Sequence, residues 1–148
     1  MQLEPKPATF PSIRTALSFY RVSAYITGFF LLALVVMMVF RYGYGVDIEL
    51  AGPFGLLALT PRDAITAINL SLIILTVHGW FYVVYLIADF RLWSLMRWPL
   101  WRLLVLAAGG VVPFLSFIVE FRIWREVAGY LDRRERELQS AAQAETAT

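Results

Sequence analysis

The residues best suited to chemistry form one polar stripe in a mostly apolar chain. His78 is the only histidine, and Tyr82, Tyr85 and Asp89 follow it at intervals of three or four residues. Such intervals place side chains on one face of a helix. Glu120 is a further acid at the end of a later apolar run. Because ionisable groups are costly inside a bilayer, this polar stripe marks the candidate functional or structural site.

Three roles stay open for His78. Pro113 cannot donate a hydrogen bond to the Gly109 carbonyl, and an imidazole N–H at the same depth could do so, which would clamp the second helix to the third. In this reading Gly109, Gly110 and Pro113 kink the third helix. Alternatively, His78 handles a proton or a ligand in a cavity beside the kink. The third reading is a metal or haem ligand. With a single histidine and no cysteine, such a site would need donors across an oligomer axis or a methionine, so we predict no metal site and no cofactor.

The composition predicts the elements that must hold these residues. Of the 148 residues 59% are hydrophobic and 16% are charged, whereas soluble domains carry about a quarter charged residues. Three runs lack Asp, Glu, Lys and Arg, at residues 22–40, 64–88 and 103–119. About 20 apolar residues cross a bilayer as a helix. We therefore predict an all-α membrane protein with three transmembrane helices, at about residues 20–40, 62–89 and 102–121.

The remaining segments complete the predicted organisation. Residues 1–15 are expected to form a flexible tail and residues 16–125 the transmembrane domain. Residues 126–148 are expected to form a polar helical extension that becomes disordered from residue 139, because charges of both signs give way to Ala, Gln and Thr. Glycines and prolines predict a loop at 41–62. Thr60, Pro61 and Asp63 predict the capped start of the second helix.

Three spans would put the two termini on opposite faces of the membrane. Asp89 and Glu120 would then lie on opposite sides, with Arg41 or Arg62 as the partner of Glu120. Lys and Arg nearly balance across this topology, so they do not decide its orientation. Five arginines after the third helix favour an outside N-terminus. The first helix often dominates insertion, however, and its cation-rich N-terminal flank favours an inside N-terminus, which is the orientation we expect.

Several fragments resemble a known family. The order His78-Gly79-x-Phe81-x-x-x-Tyr85, Pro113-Phe114 and Glu120-x-Arg122 is similar to the domain-of-unknown-function family 3817, small membrane proteins found especially in actinobacteria. The resemblance covers residues 16–125 and implies a three-helix integral membrane domain without an assigned reaction. Some members carry an acid before the glycine of the first helix, where this chain has Thr27 before Gly28. That difference argues against an acid–histidine pair shared by the family.

These features favour a multi-pass protein of the cell membrane that is not an enzyme. We expect a helical bundle that serves as a subunit, scaffold or regulator of a membrane complex, with the lipid bilayer, a second copy or a larger complex as its partners. The alternative is an oligomeric transporter or a lipid- or quinone-binding module that uses the His78 stripe. No catalytic residue is predicted. The arginines flank helix ends, which does not favour nucleic-acid binding.

Overall fold

In the described residues, four α-helices, a small sheet and three short helical segments (Pro7–Thr9, Phe40–Tyr44 and Arg62–Ala64) make up the fold. The structure is a computed structural model that describes residues 4–146. The helices are α1 (Phe10–Val39), α2 (Leu70–Met96), α3 (Leu100–Gly109) and α4 (Leu115–Thr146), and the strands are β1 (Val46–Gly52), β2 (Gly55–Pro61) and β3 (Ile68–Asn69). The protein is therefore mostly helical, as predicted, but a three-stranded sheet lies between α1 and α2.

Helices α1 and α2 are the two long apolar elements. Within residues 4–146, two helical stretches are long and apolar enough to cross a membrane, Pro7–Tyr44 and Leu70–Met96. The two helices run antiparallel, because Tyr20 lies against Tyr85 with ring centroids 5.9 Å apart, and Phe30 stacks on Phe81 at 5.2 Å. These contacts also relate depth on one helix to depth on the other.

The prediction of one continuous third helix at residues 102–121 is wrong. The chain turns at residues 110–114 and reverses direction, with Phe114 in the left-handed region at φ 64°. Helix α3 has 10 residues and is about 15 Å long, half of what a bilayer core requires. Gly110 and Pro113 therefore belong to a turn between two helices, where a kink within one helix was predicted.

Helix α4 returns alongside α3 and α1. Its Ser116 hydroxyl donates to the Ala24 carbonyl at 3.0 Å, and further along the helix Asp132 pairs with Arg14 at 2.9 Å. Helices α3 and α4 thus form a hairpin that reaches about half-way along α1 and comes back.

Both terminal segments consequently lie at one end of the bundle, which we call the terminal end. Arg134 of α4 pairs with Glu4 at 3.0 Å. The sheet lies at the opposite end, the sheet end, where the chain connects α1 to α2. The sequence predicted termini on opposite faces of a membrane, whereas in the structure both terminal segments lie at one end of the bundle, because the third apolar run folds back on itself.

The predicted tails are shorter than expected. Helix α1 begins at Phe10 with Pro11 in its first turn, and the buried side chains of Phe10 and Ile13 join a hydrophobic cluster with Val127 and Leu131 of α4. The bundle therefore includes part of the expected tail at residues 1–15. Residues 139–146 are helical although disorder was predicted there, which suits an alanine-rich segment. Residues 1–3 and 147–148 lie outside the described residues.

The sheet replaces the predicted loop at 41–62. Its strand order is β2-β1-β3 and both pairings are antiparallel. Thr60 was expected to cap the second helix, but it lies in β2 opposite Asp47 and its hydroxyl donates to Glu49 at 2.8 Å. Helix α2 instead begins after Asn69, whose side chain accepts a hydrogen bond from the Leu72 amide at 3.0 Å.

Candidate functional site

Two buried carboxyl groups converge on one tyrosine in the terminal half of the bundle. Asp89 of α2 is 0% exposed and Glu120 of α4 is 2% exposed, and both lie within electrostatic range of Tyr20 of α1. Tyr85 contacts the Tyr20 ring. We call these four residues the acid cluster. The sequence placed the two acids on opposite sides, and the reversal of α4 brings them together.

The two buried carboxyl groups, of Asp89 and Glu120, differ in their partners. Glu120 pairs with Arg21, whose Nε lies 3.1 Å from Oε1. The predicted pairing of Glu120 with Arg41 or Arg62 is wrong, since Arg41 approaches Asp47 at 3.6 Å. Both carboxyl oxygens of Asp89 lack a hydrogen-bond partner among residues 4–146. Such a buried group costs folding free energy and therefore calls for a functional or structural explanation.

The carboxyl and phenol groups of the acid cluster influence one another electrostatically, but no hydrogen bond joins them among residues 4–146. The Tyr20 hydroxyl faces that of Tyr85 but makes no hydrogen bond of standard geometry. Metal binding needs more ligands than this cluster supplies, and the described part of the chain has no group of three or more acidic or histidine side chains around a metal position.

Tyrosines connect α2 to the hairpin. The Tyr85 hydroxyl donates to the Leu106 carbonyl at 2.7 Å, and the Tyr82 hydroxyl donates to the Ala107 carbonyl at 3.3 Å. Both carbonyls lie in the last turn of α3, and that of Ala107 also accepts a hydrogen bond from the Gly110 amide at 3.2 Å. The tyrosines thus make the connection that the sequence assigned to His78.

Glycines allow this approach. A Cβ on Gly109 would lie 2.8 Å from the Tyr85 hydroxyl, and one on Gly110 would lie 2.4 Å from the Tyr82 ring. Between α1 and α4, a Cβ on Gly28 would lie 3.1 Å from Phe117. The predicted kink glycines are therefore packing positions at which the hairpin tip meets the tyrosines.

His78 lies apart from the acid cluster. It is half-buried, stacks on Tyr82 with ring centroids 6.3 Å apart, and faces the backbone of Thr27 in α1. Its Nδ1 has no hydrogen-bond partner in the described structure, and the predicted bond to the Gly109 carbonyl is not formed. His78 and Asp89 are eleven residues apart, about 16 Å along the helix. The residues of the predicted polar stripe thus lie in two separate regions of the bundle, one around His78 and one around Asp89.

An apolar groove lies above the hairpin tip on α1. The groove has a volume of about 560 Å³. Its lining comes almost entirely from the last third of α1 and the turn after it, with one residue from the hairpin tip: Leu31, Leu34, Val35, Met38, Val39, Tyr42, Gly43 and Val111. We call it the α1 groove. No other helix of the described chain covers it, because the hairpin turns back below it.

Three features escaped the sequence reasoning. Tyr20 was not considered because it lies beside Arg21 outside the charge-free run. Ser116 lies in the third apolar run, and nothing in the sequence pairs it with Ala24. Glu49 had a readable signal, since apolar and acidic residues alternate from Val46 to Leu50 as in a half-buried strand.

The fold defines a class: a helical bundle with two helices able to cross a membrane, a half-length helical hairpin and a small sheet at one end. The chain belongs to the family Domain of unknown function (DUF3817), whose sequence model matches residues 17–125. The family predicted from the sequence fragments is thus confirmed.

Mycobacterial proteins are among its relatives. The chain is 33% identical over 115 residues to an uncharacterized protein of Mycobacterium bovis and to one of Mycobacterium tuberculosis, which covers 78% of each chain. It is 32% identical over 111 residues to an uncharacterized protein of Mycobacterium leprae, covering 75% of this chain and 74% of that one. No solved structure matches the chain.

Proposed function

We propose that the protein is a non-catalytic, multi-pass protein of the cell membrane and a subunit of a homo-oligomeric membrane assembly. Helices α1 and α2 are its two spans. Arg21 and Arg41 are twenty positions apart, which corresponds to about 30 Å along a helix and equals the hydrocarbon thickness of a bilayer. From Leu70 to Arg91 the distance along α2 is similar. Large apolar side chains face outward on both helices, among them Val22, Phe29, Val36, Trp80 and Ile87.

The folded topology supports one orientation. Eleven of the thirteen Lys and Arg residues lie on the elements of the terminal end, and Arg41 and Arg62 lie at the sheet end. Cytoplasmic segments of membrane proteins are enriched in these residues. We infer that both termini are cytoplasmic and that the sheet lies outside. The sequence alone left a near balance because three spans assign the arginines of α4 to the other face.

Aromatic residues support the same boundary at the terminal end. The Arg21 guanidinium lies 4.8 Å from the Trp124 ring centroid, and that of Arg102 lies 4.9 Å from Trp98. Tryptophan and arginine are common at the headgroup level. In this placement the α3–α4 hairpin enters from the cytoplasmic face and turns near the middle of the membrane.

The α1 groove is the observation that supports a role as a subunit. Ser116 and Phe117 reach Gly28, and beyond that level Val111 is the one hairpin residue among the described residues that lines this face of α1. Close packing gives helices in a membrane their affinity for each other, and a groove along a helix offers such packing. A second copy is the occupant we propose, because homodimers with twofold symmetry are the commonest protein assemblies and each copy brings the same apolar surface.

Single cysteines test this assembly. The chain has no cysteine, and we place one at Met38 in the groove or at Ile73 of α2 outside it. The stacking of Phe30 on Phe81 puts both positions at the same depth, and both side chains are exposed, at 39% and 45%. Oxidation in native membranes should crosslink Met38→Cys into a species of twice the monomer mass and leave Ile73→Cys monomeric. Equal crosslinking of the two variants, or none, would contradict self-association through this groove.

A further inference from the structure

A second groove lies on the outer face of the hairpin, between α3 and α4. Its volume is about 290 Å³. Apolar side chains such as Val105 and Ile118 form its wall, and Trp101, Arg102 and Arg122 border it toward the terminal end. Trp101 is 59% exposed. The groove is therefore apolar along its length and cationic at one end, and we call it the hairpin groove.

The two arginines of the hairpin groove differ in their partners. Arg102 forms an ion pair with Glu126 and lies over the Trp98 and Trp101 rings. Arg122 is exposed, and none of the ion pairs or side-chain hydrogen bonds of the described residues involves it. Glu126 offsets one of the two positive charges, so the mouth of the groove keeps a net positive charge.

We propose that the hairpin groove binds one anionic phospholipid from the cytoplasmic leaflet. Its phosphate binds Arg122 and the remaining donors of Arg102, and an acyl chain lies along Val105 and Ile118. Arginine recognises phosphate through charge-assisted hydrogen bonds, and basic pockets between helices on the cytoplasmic side suit anionic headgroups. A water-soluble phosphate would leave the apolar wall uncovered. The proposal rests on the membrane placement proposed above and is independent of self-association through the α1 groove.

Lipid titration of the purified full-length protein in detergent tests this site. The probes are phosphatidylglycerol and phosphatidylcholine with identical acyl chains, and native mass spectrometry counts the bound lipid. We expect phosphatidylglycerol to be retained in preference to phosphatidylcholine. Arg122→Gln should weaken phosphatidylglycerol binding roughly tenfold or more, as expected for a lost charge-assisted contact, and Arg122→Lys should lose less.

Arg125→Gln is the matched control. Arg125 is also exposed and lies one turn along α4, but its guanidinium covers Phe121 at 5.0 Å and does not line the groove. This variant should bind as the wild type does. Equal losses in Arg122→Gln and Arg125→Gln would show a non-specific charge effect, and equal retention of the two lipids by the wild type would overturn the proposal.

Two further arms complete the test. Glycerol phosphate alone should not displace the lipid, and displacement at equal concentration would show that the ligand is a soluble phosphate.

If Arg122→Gln does not fold, as judged by thermal unfolding without lipid, Ile118→Trp fills the apolar wall without changing any charge. It should reduce retention of phosphatidylglycerol, and unchanged retention would exclude an acyl chain from the groove. A topology measurement in which α1 and α2 do not both cross the membrane would refute the membrane placement itself, which the lipid measurements do not test.

Discussion

Glu49 is the buried carboxylate that organises the sheet. Its Oε1 accepts hydrogen bonds from the amides of Ala67 and Thr66, at 2.7 and 2.8 Å, and its Oε2 accepts one from the Thr60 hydroxyl at 2.8 Å. The Ala67 amide is the main cause of a lowered pKa of Glu49, followed by the Thr60 hydroxyl. Gly52 leaves room for this carboxylate, since a Cβ there would meet it at 2.4 Å.

The lowered pKa of Glu49 predicts that the sheet is sensitive to acid. A carboxylate with a lowered pKa stabilises the folded state fully above its ordinary pKa of 4.5, and this contribution disappears as the pH falls through the lower folded-state value. Hydrogen exchange of residues 46–69, corrected for the intrinsic rate at each pH, should show protection that falls below about pH 4.5 in the wild type.

Glu49→Gln is expected to reduce that protection at neutral pH and to remove most of its dependence on pH. Asp63→Asn is the control, because Asp63 is an exposed acid near the same sheet, and it should behave as the wild type does. Identical pH profiles for the wild type and Glu49→Gln would contradict a charged Glu49 in the folded sheet.

Among the polar residues of the helices, the sequence identified the residue types well and their partners poorly. Tyr82, Tyr85, Asp89 and Glu120 are all partly or fully buried polar groups, as an amphipathic stripe predicts. The hydrogen bonds of Tyr85 depend on where α3 ends, however, and the neighbours of Asp89 depend on α1 and α4. Such long-range partners follow from the topology, which helical periodicity does not contain.

The third apolar run shows the limit of prediction for an element. A run of 17 residues without charge, at 103–119, fits one short span or two antiparallel half-length helices equally well by hydropathy. The break depends on residues 110–114 and on the fit of two glycines against Tyr82 and Tyr85. The strands were missed for a related reason, since glycine and proline signals outweighed a short alternating pattern.

Gly110 therefore controls the packing of the hairpin. Its backbone, at φ −80°, suits any residue, so that the cost of a side chain comes from contact alone. A Cβ there would lie 2.4 Å from Tyr82 and 3.0 Å from Tyr85. We predict that Gly110→Ala lowers the free energy of unfolding in detergent by about 1–3 kcal/mol, as overpacking does elsewhere.

Gly79→Ala provides the opposite case for the same substitution. Gly79 lies within α2, and a Cβ added there would meet no atom within 4 Å, so alanine should be neutral or should stabilise the helix by up to about 1 kcal/mol. Denaturant titration of both variants gives the comparison. Equal stability of Gly110→Ala and Gly79→Ala would mean that the hairpin does not rest against the tyrosines.

At the scale of the whole molecule, the reversal of the chain within the third apolar run determines at which end of the bundle each segment lies. The Arg134–Glu4 and Arg14–Asp132 pairs hold the two terminal segments together. In the membrane placement proposed above, two spans would put both terminal segments in one compartment, and the arginine-rich end is expected to be cytoplasmic. The sequence could not provide this result, because the charge count depends on the number of spans assumed.

Cysteine labelling in intact cells tests this topology. Leu56 of β2 is 78% exposed at the sheet end, and Ser140 is exposed on α4 at the terminal end. A membrane-impermeant maleimide should label Leu56→Cys in intact cells and should label Ser140→Cys only after permeabilisation, because the hairpin returns α4 to the face from which α3 enters. After permeabilisation both variants should react, which controls for the accessibility of each thiol. Labelling of Ser140→Cys in intact cells, with Leu56→Cys protected, would show that the orientation is the opposite one. Labelling of both variants in intact cells would mean that α4 crosses the membrane and that the hairpin does not form.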